Sequence, residues 1–228
     1  HQELPFMLET LSPKRGAIKR NTSVRPLFLN AVNWKDRIFL WRLKRLAQPE
    51  RERKGCSLKN AKSVGLVYLE RDHAHYREIK GLAKALKEEY GVKRVGLMSY
   101  VPADEKETPN WLVKKLDSGY LCKSDLNWHG WPTKEFEAFV DTPFDILIDL
   151  EIEPVLQLKF VVRRSLAGMK VGIDNAPWNN DLDVRLVLEE ASDEDDMEEV
   201  DVILQDPMER WREHTKRTLS FLNQIDIQ

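Results

Sequence analysis

Cysteine is nearly missing from this chain: Cys56 and Cys122 are the only two among 228 residues, far apart and outside any CxxC spacing. That scarcity argues against a disulfide framework and a structural zinc site, and it fits a reducing, cytoplasmic compartment. Long apolar runs are missing as well. No stretch reaches the roughly 20 consecutive apolar residues of a membrane-spanning helix, and the opening HQELPFMLET does not follow the basic-then-apolar order of a secretion signal. No strand-like segment leads into GxGxxG, GxxxxGKS or GxxxxGKT. Without such glycines the backbone cannot easily approach a phosphate, so dinucleotide and P-loop chemistry is not expected. GxSxG and any Cys/His arrangement are also lacking, which leaves nucleophilic catalysis without support. Glu189 to Asp201 (EEASDEDDMEEVD) is acidic but lacks the ligand order and central glycine of an EF-hand, and reads as a solvated loop.

What the chain does have is a division of charge. Between Lys14 and Lys59, Lys and Arg occupy fourteen positions, against acids only at Asp36, Glu50 and Glu52. The remainder is acidic, so the formal net charge of -2 conceals two opposed regions. A basic segment of this kind implies an anionic or membrane-surface partner. With 42% hydrophobic and 32% charged residues, the chain suits one globular domain with an appendage: residues 1–59 as a basic extension and 60–228 as the domain.

From Asn60 onward, short β-rich runs alternate with helical periodicity. Strands are expected at Ser63 to Leu69, Val92 to Val101, Gly119 to Cys122, Phe144 to Leu150, Met169 to Ile173 and Val184 to Leu188. Tyr76, Ile79, Leu82, Ala83, Leu86 and Tyr90 recur at helical spacing before Gly91. Further helices are expected at Pro109 to Leu116, Thr133 to Val140, Pro154 to Ala167, and around Met208 to Leu222. Strands this apolar, alternating with helices, predict an α/β fold with a mostly parallel sheet in three layers, Rossmann-like or flavodoxin-like.

Three groups of residues are candidates for function. Read as a helix, Trp34 to Ala47 gathers Phe39, Leu40, Leu43, Leu46 and Ala47 in one sector, with Trp34, Ile38 and Trp41 among the bases Lys35, Arg37, Arg42, Lys44 and Arg45. Such a helix suits a membrane interface or a protein partner; alternatively, its apolar sector docks on its own domain. The segment Leu126 to Pro132 (LNWHGWP) presents Trp128, His129 and Trp131 in a turn, able to stack on a ligand or partner or to plug into the domain. Asp149 lies near the exit of the fourth strand, on the same face as Asp145, but at roughly 13 Å the two are too far apart to share one reacting centre. Asp72, His73 and His75 are a weak metal signal at the end of the first strand. No cofactor, metal or catalytic residue is expected.

The segments NAKSVGLVY, KSDLNWHGWP, FDILIDL and SLAGMKVGI resemble an uncharacterised α/β family of Bacteroidota, a domain of unknown function whose members usually begin with a short basic helix. The stretch from FDILIDL to MKVGI is also similar to the strand-helix-strand of heptosyltransferase-like glycosyltransferases, whose second nucleotide-sugar lobe does not fit in a chain of this length. The first resemblance and its lineage imply a non-catalytic adaptor or accessory factor, peripheral to the inner membrane on its cytoplasmic face. Its partners would be subunits of an inner-membrane complex, such as that of type IX secretion and gliding, with an anionic membrane surface as a further partner. A small-molecule or nucleotide-sugar enzyme using Asp149 and the His129 loop is the alternative, and nucleic-acid binding through the basic segment a third.

Overall fold

The β-rich runs form strands and the periodic runs between them form helices. In a computed structural model, the described residues are 33–115, 117–133, 135–174, 181–187 and 206–225. They form α1 (Trp34–Arg45), β1 (Ser63–Leu69), α2 (His73–Glu88), β2 (Arg94–Val101), β3 (Ser118–Cys122), α3 (Glu137–Val140), β4 (Ile146–Asp149), α4 (Leu156–Arg164), β5 (Met169–Ile173), β6 (Val184–Leu186) and α5 (Pro207–Gln224). The start of the basic segment and the acidic run from Glu189 lie outside the described residues.

The sheet runs β3-β2-β1-β4-β5-β6, and every pairing is parallel. This is the Rossmann order rather than the flavodoxin one, with its topological switch between β1 and β4. Val64, Leu66 and Tyr68 of β1 share one core layer with Ile79, Ala83 and Leu86 of α2 and with Trp211 and Leu222 of α5. Val67 and Leu147 share the other with α1, α3 and α4, through Phe39, Leu43, Phe139, Val140, Leu158 and Val161. No helix among the described residues is long and apolar enough to cross a membrane.

Local signals explain where the helices start and stop. Asp72 caps α2 by accepting from the His75 N–H at 2.8 Å, and Gly91, at φ +72°, stops it. Asp206 caps α5, with Pro207 in its first turn. Two expected helices fall short. The described part of Pro109 to Leu116 forms turns and an isolated bridge between Lys115 and Ser118. In the Thr133 to Val140 segment only Glu137–Val140 is helical, because Glu135 sits at φ +69°, a left-handed conformation that interrupts a helix.

Residues 33–59, read from charge as part of an extension, are built into the domain. Arg51 pairs with Asp183 at 2.7 Å and donates to the Ala167 and Gly168 carbonyls at 2.9 Å. Arg163 of α4 reaches back to the Leu46 carbonyl and pairs with Asp181 at 2.7 Å. The Leu58 N–H donates to the Leu222 carbonyl at 3.0 Å, joining this segment to the end of α5.

One aromatic ring fixes the centre of the sheet. Gly65 and Gly96 are register partners on β1 and β2, and the Phe144 ring lies over both, so that a Cβ on Gly96 would stand 2.5 Å from Phe144 Cζ. Gly81, on α2, has open space around it. Gly96→Ala is therefore expected to destabilise by about 1–3 kcal/mol through overpacking, and Gly81→Ala to stabilise by about 0.5–1 kcal/mol by restricting the unfolded chain. Urea denaturation of the two variants checks both signs.

Candidate functional site

In a parallel α/β sheet, ligands bind beyond the carboxyl ends of the strands, at the switch between β1 and β4. Here protein groups fill that crevice. Glu151 Oε1 accepts from the Leu69 N–H at 2.7 Å, and the Arg71 guanidinium grips both oxygens of Glu151, at 2.7 and 3.2 Å. Burial pushes the Glu151 carboxyl up, against the pull of Arg71. Beside it Asp149, 1% exposed, pairs with Lys159 Nζ of α4 at 2.8 Å and accepts from the Glu151 N–H at 3.2 Å. Asp149 is thus enclosed rather than presented to a ligand. Asp145 is engaged at the other end of the sheet, accepting from the Lys62 and Ser63 N–H groups and the Ser63 hydroxyl.

Around this crest lies a set of buried polar side chains. His75 packs edge-on against Trp211, with ring centroids 4.6 Å apart, while His73 stands 5.0 Å from the Trp111 ring. The two histidines therefore point to different neighbours and Asp72 is occupied as a cap, so the weak metal signal does not converge. No group of three potential ligands exists among the described residues. Burial pushes both His75 and His214 down to about 4. Burial also pushes Glu70 up to about 7, only partly offset by the Trp111 indole N–H at 3.4 Å. Glu70 Oε2, His75 Nδ1, Trp211 Nε1 and His214 Nε2 are buried without a protein partner. Glu70, Lys159 and the buried Lys170, which burial lowers to about 8, were not singled out from sequence. The one available signal was an acid at a strand end with a base in the following helix, as in Asp149 and Lys159.

A cavity of about 720 Å3 opens at the opposite, amino-terminal edge of the sheet, among Arg51, Lys54, Cys56, Lys62, Asp145 and Gly168. Arg51 and Asp145 there are already committed to protein partners.

The second candidate surface is built by α1 and the Leu126 to Pro132 turn. Phe39 and Leu43 are buried, at 1% and 4% exposure, so the apolar sector of the helix docks on its own domain. Phe39 packs 5.3 Å from Trp131, whose ring lies 4.8 Å from Phe160 of α4. Arg42 lies over the Trp131 ring at 4.7 Å and contacts His129 Nε2 at 2.5 Å. Burial and Arg42 both lower the His129 pKa, which keeps Nε2 available as the acceptor. Asn127 Oδ1 accepts from the His129 and Trp131 N–H groups, and Gly130, at φ +81°, closes the turn. Of the residues assigned to partner binding, Phe39, Leu43, His129 and Trp131 hold the surface together from within. Trp34, Arg37, Trp41, Lys44, Arg45 and Trp128 face outward, and Ile38 is half-buried.

The fold is that of a parallel α/β domain of Rossmann topology whose switch point is occupied by its own ion pairs. Residues 35–193 match the family of unknown function DUF6913, and the chain belongs to that family. The match takes in nearly all of α1 and ends before α5. No curated protein and no solved structure matches the chain.

Removing the Asp149 carboxylate leaves Lys159 buried and unpaired, so Asp149→Ala is expected to destabilise by about 3–5 kcal/mol, read by chemical denaturation. The histidines set a pH dependence. His75 and His214 stay neutral in the fold down to about 4 but titrate near 6.5 when unfolded, so acidification between these values protonates the unfolded chain first and removes stability. Glu70 works in the opposite sense: its contribution falls as pH rises from 4.5 towards about 7. Replacing both histidines with Gln should remove an acid-side slope of roughly 1.4 kcal/mol per pH unit per histidine. Urea titrations at several pH values between these limits would show it.

Proposed function

We propose that the protein is a non-catalytic adaptor that docks on an anionic partner surface through the outward side of α1 and the adjoining turn. The observation that carries this reading is the exposure of Trp34, Trp41 and Trp128, at 57%, 54% and 67%, among Lys35, Arg37, Lys44 and Arg45. Indole rings are costly to leave in water, and a cluster of them among cations marks a docking surface. The filled crevice between β1 and β4 supports the same reading, since the place where this topology binds small molecules is taken by Arg71 and Glu151.

The body behind that surface, held at the cytoplasmic face of the inner membrane, would display its acidic faces to subunits of a membrane complex. The resemblance to Bacteroidota proteins gives the particular form of this proposal: an accessory component of the type IX secretion and gliding machinery, of the kind called PorD. The nucleotide-sugar alternative required Asp149 as a ligand group, and Asp149 is buried against Lys159.

The test is fractionation of native lysate followed by affinity purification with partner identification. The full-length protein is expected in the inner-membrane fraction with membrane-complex subunits. The triple substitution Arg37→Gln, Lys44→Gln, Arg45→Gln is expected to lower that fraction at least about tenfold while lowering Tm by only a few degrees, because all three side chains are exposed and the loss is confined to charge at the helix surface and its last turn. Recovery of the unaltered protein wholly as a free soluble monomer would overturn the reading.

A further inference from the structure

We propose that the outward face of α1 and Trp128 together form a rigid composite surface that binds the headgroup region of an anionic lipid bilayer directly. The proposal rests on the adaptor reading and names its first partner. In a helix, positions seven apart return to within about 20° of each other. Trp34 and Trp41 therefore share one ridge, with Ile38 between them and Arg45 a turn beyond. This ridge is opposite Phe39 and Leu43, which are buried in the domain. The helix thus has a second apolar stripe, pointing away from its own core.

Trp128 extends that stripe from a different part of the chain. Its ring centroid is 6.0 Å from that of Trp34, and the turn carrying it is held by Asn127 and Gly130. Arg42 contacts His129 in the same turn, so the helix and the turn form one surface. Trp128 is the most exposed of the three rings.

The pattern of bases favours lipid over protein. Arg45 lies over the Trp41 ring at 4.0 Å and Lys35 near the Trp34 ring at 5.9 Å, while Arg37 and Lys44 flank the ridge. A protein interface of ordinary anatomy has an apolar centre depleted of charge. Here the Trp34 and Trp41 indoles are each interleaved with a cation, which suits the depth in a bilayer where indoles sit at headgroup level and bases meet anionic phosphates. The only acid on the helix, Asp36, is half-buried on the inward side. Because Phe39 and Leu43 are already buried, contact is shallow: the rings enter, and the helix does not insert its inner face.

The experiment uses purified full-length protein and protein-free vesicles of phosphatidylcholine, with or without phosphatidylglycerol, and reads flotation and the shift of tryptophan emission. Binding is expected only with phosphatidylglycerol, and it should weaken as salt rises. Trp128→Ala lies outside the basic segment, and it is expected to lower vesicle affinity about five- to tenfold. Phe221→Ala, an exposed ring on α5, should leave it unchanged. Circular dichroism confirms that each variant is folded. Absence of binding, equal binding to neutral vesicles, or indifference to Trp128→Ala would each overturn the proposal. Retention on native membranes without binding to protein-free vesicles would overturn it too, while leaving the adaptor reading in place. Preferential retention on nucleic acid would count against both.

Discussion

Phe39 and Leu43 sink into the core layer formed by α4, α3 and the turn before α3, and the orientation of α1 depends on that contact. Two fully buried side chains of this size contribute about 1.5–3 kcal/mol each, enough to hold a short helix whose bases would otherwise draw it into solvent. Arg42 reinforces the contact from the helix side, through His129 and the face of Trp131. With the inner stripe committed, the remaining faces of α1 present tryptophans and cations together. The outward surface is a consequence of the inward docking.

The crest of the sheet shows the opposite use of charge. There Arg71 and Glu151 close the gap between β1 and β4, and Lys159 neutralises Asp149 behind them. Buried ion pairs of this kind add little net stability compared with apolar substitutes, but breaking one is expensive. They fix which strand ends meet and at what spacing. Beside these pairs, burial keeps Glu70 neutral below about 7 and His75 and His214 neutral above about 4, so between those values the three polar side chains add no charge to the paired ones.

Much of the fold could be read from the residues because each strand is a short β-rich run with its own stop. SVGLVYL and MKVGI became strands at the expected positions, and Gly91 ended α2 where a glycine was needed. The failures have local causes. Pro109 to Leu116 offered a proline start but no apolar stripe, and its Trp111 turned instead towards Glu70. Thr133 to Val140 had the right periodicity, but its backbone passes through a left-handed residue at Glu135. The candidate surface was legible as a set of residue types, not as an arrangement. Periodicity placed Phe39 and Leu43 opposite Trp34 and Trp41. Only three-dimensional packing decides which stripe faces the domain, and that Trp128, nearly ninety positions away, joins the other. Glu70 and Lys170 carry no sequence signal, because their burial depends on strands and helices that meet only in the folded chain.

The central position of β1 bears on how the protein is made. It is synthesised early, pairs next with β2, and waits for β4, whose Ile146 is the partner of Val64. The last cover over one face of β1 is α5, which also receives the Leu58 N–H through Leu222. A ribosome therefore releases most of the chain before Val64, Leu66 and Tyr68 can be sealed from water, and contacts of this span form slowly. Until α5 arrives, α2 is the only described helix that covers this face of β1. A product cut short before residue 206 would leave this face of β1 without its α5 cover, and apolar surface exposed in that way invites proteolysis and aggregation.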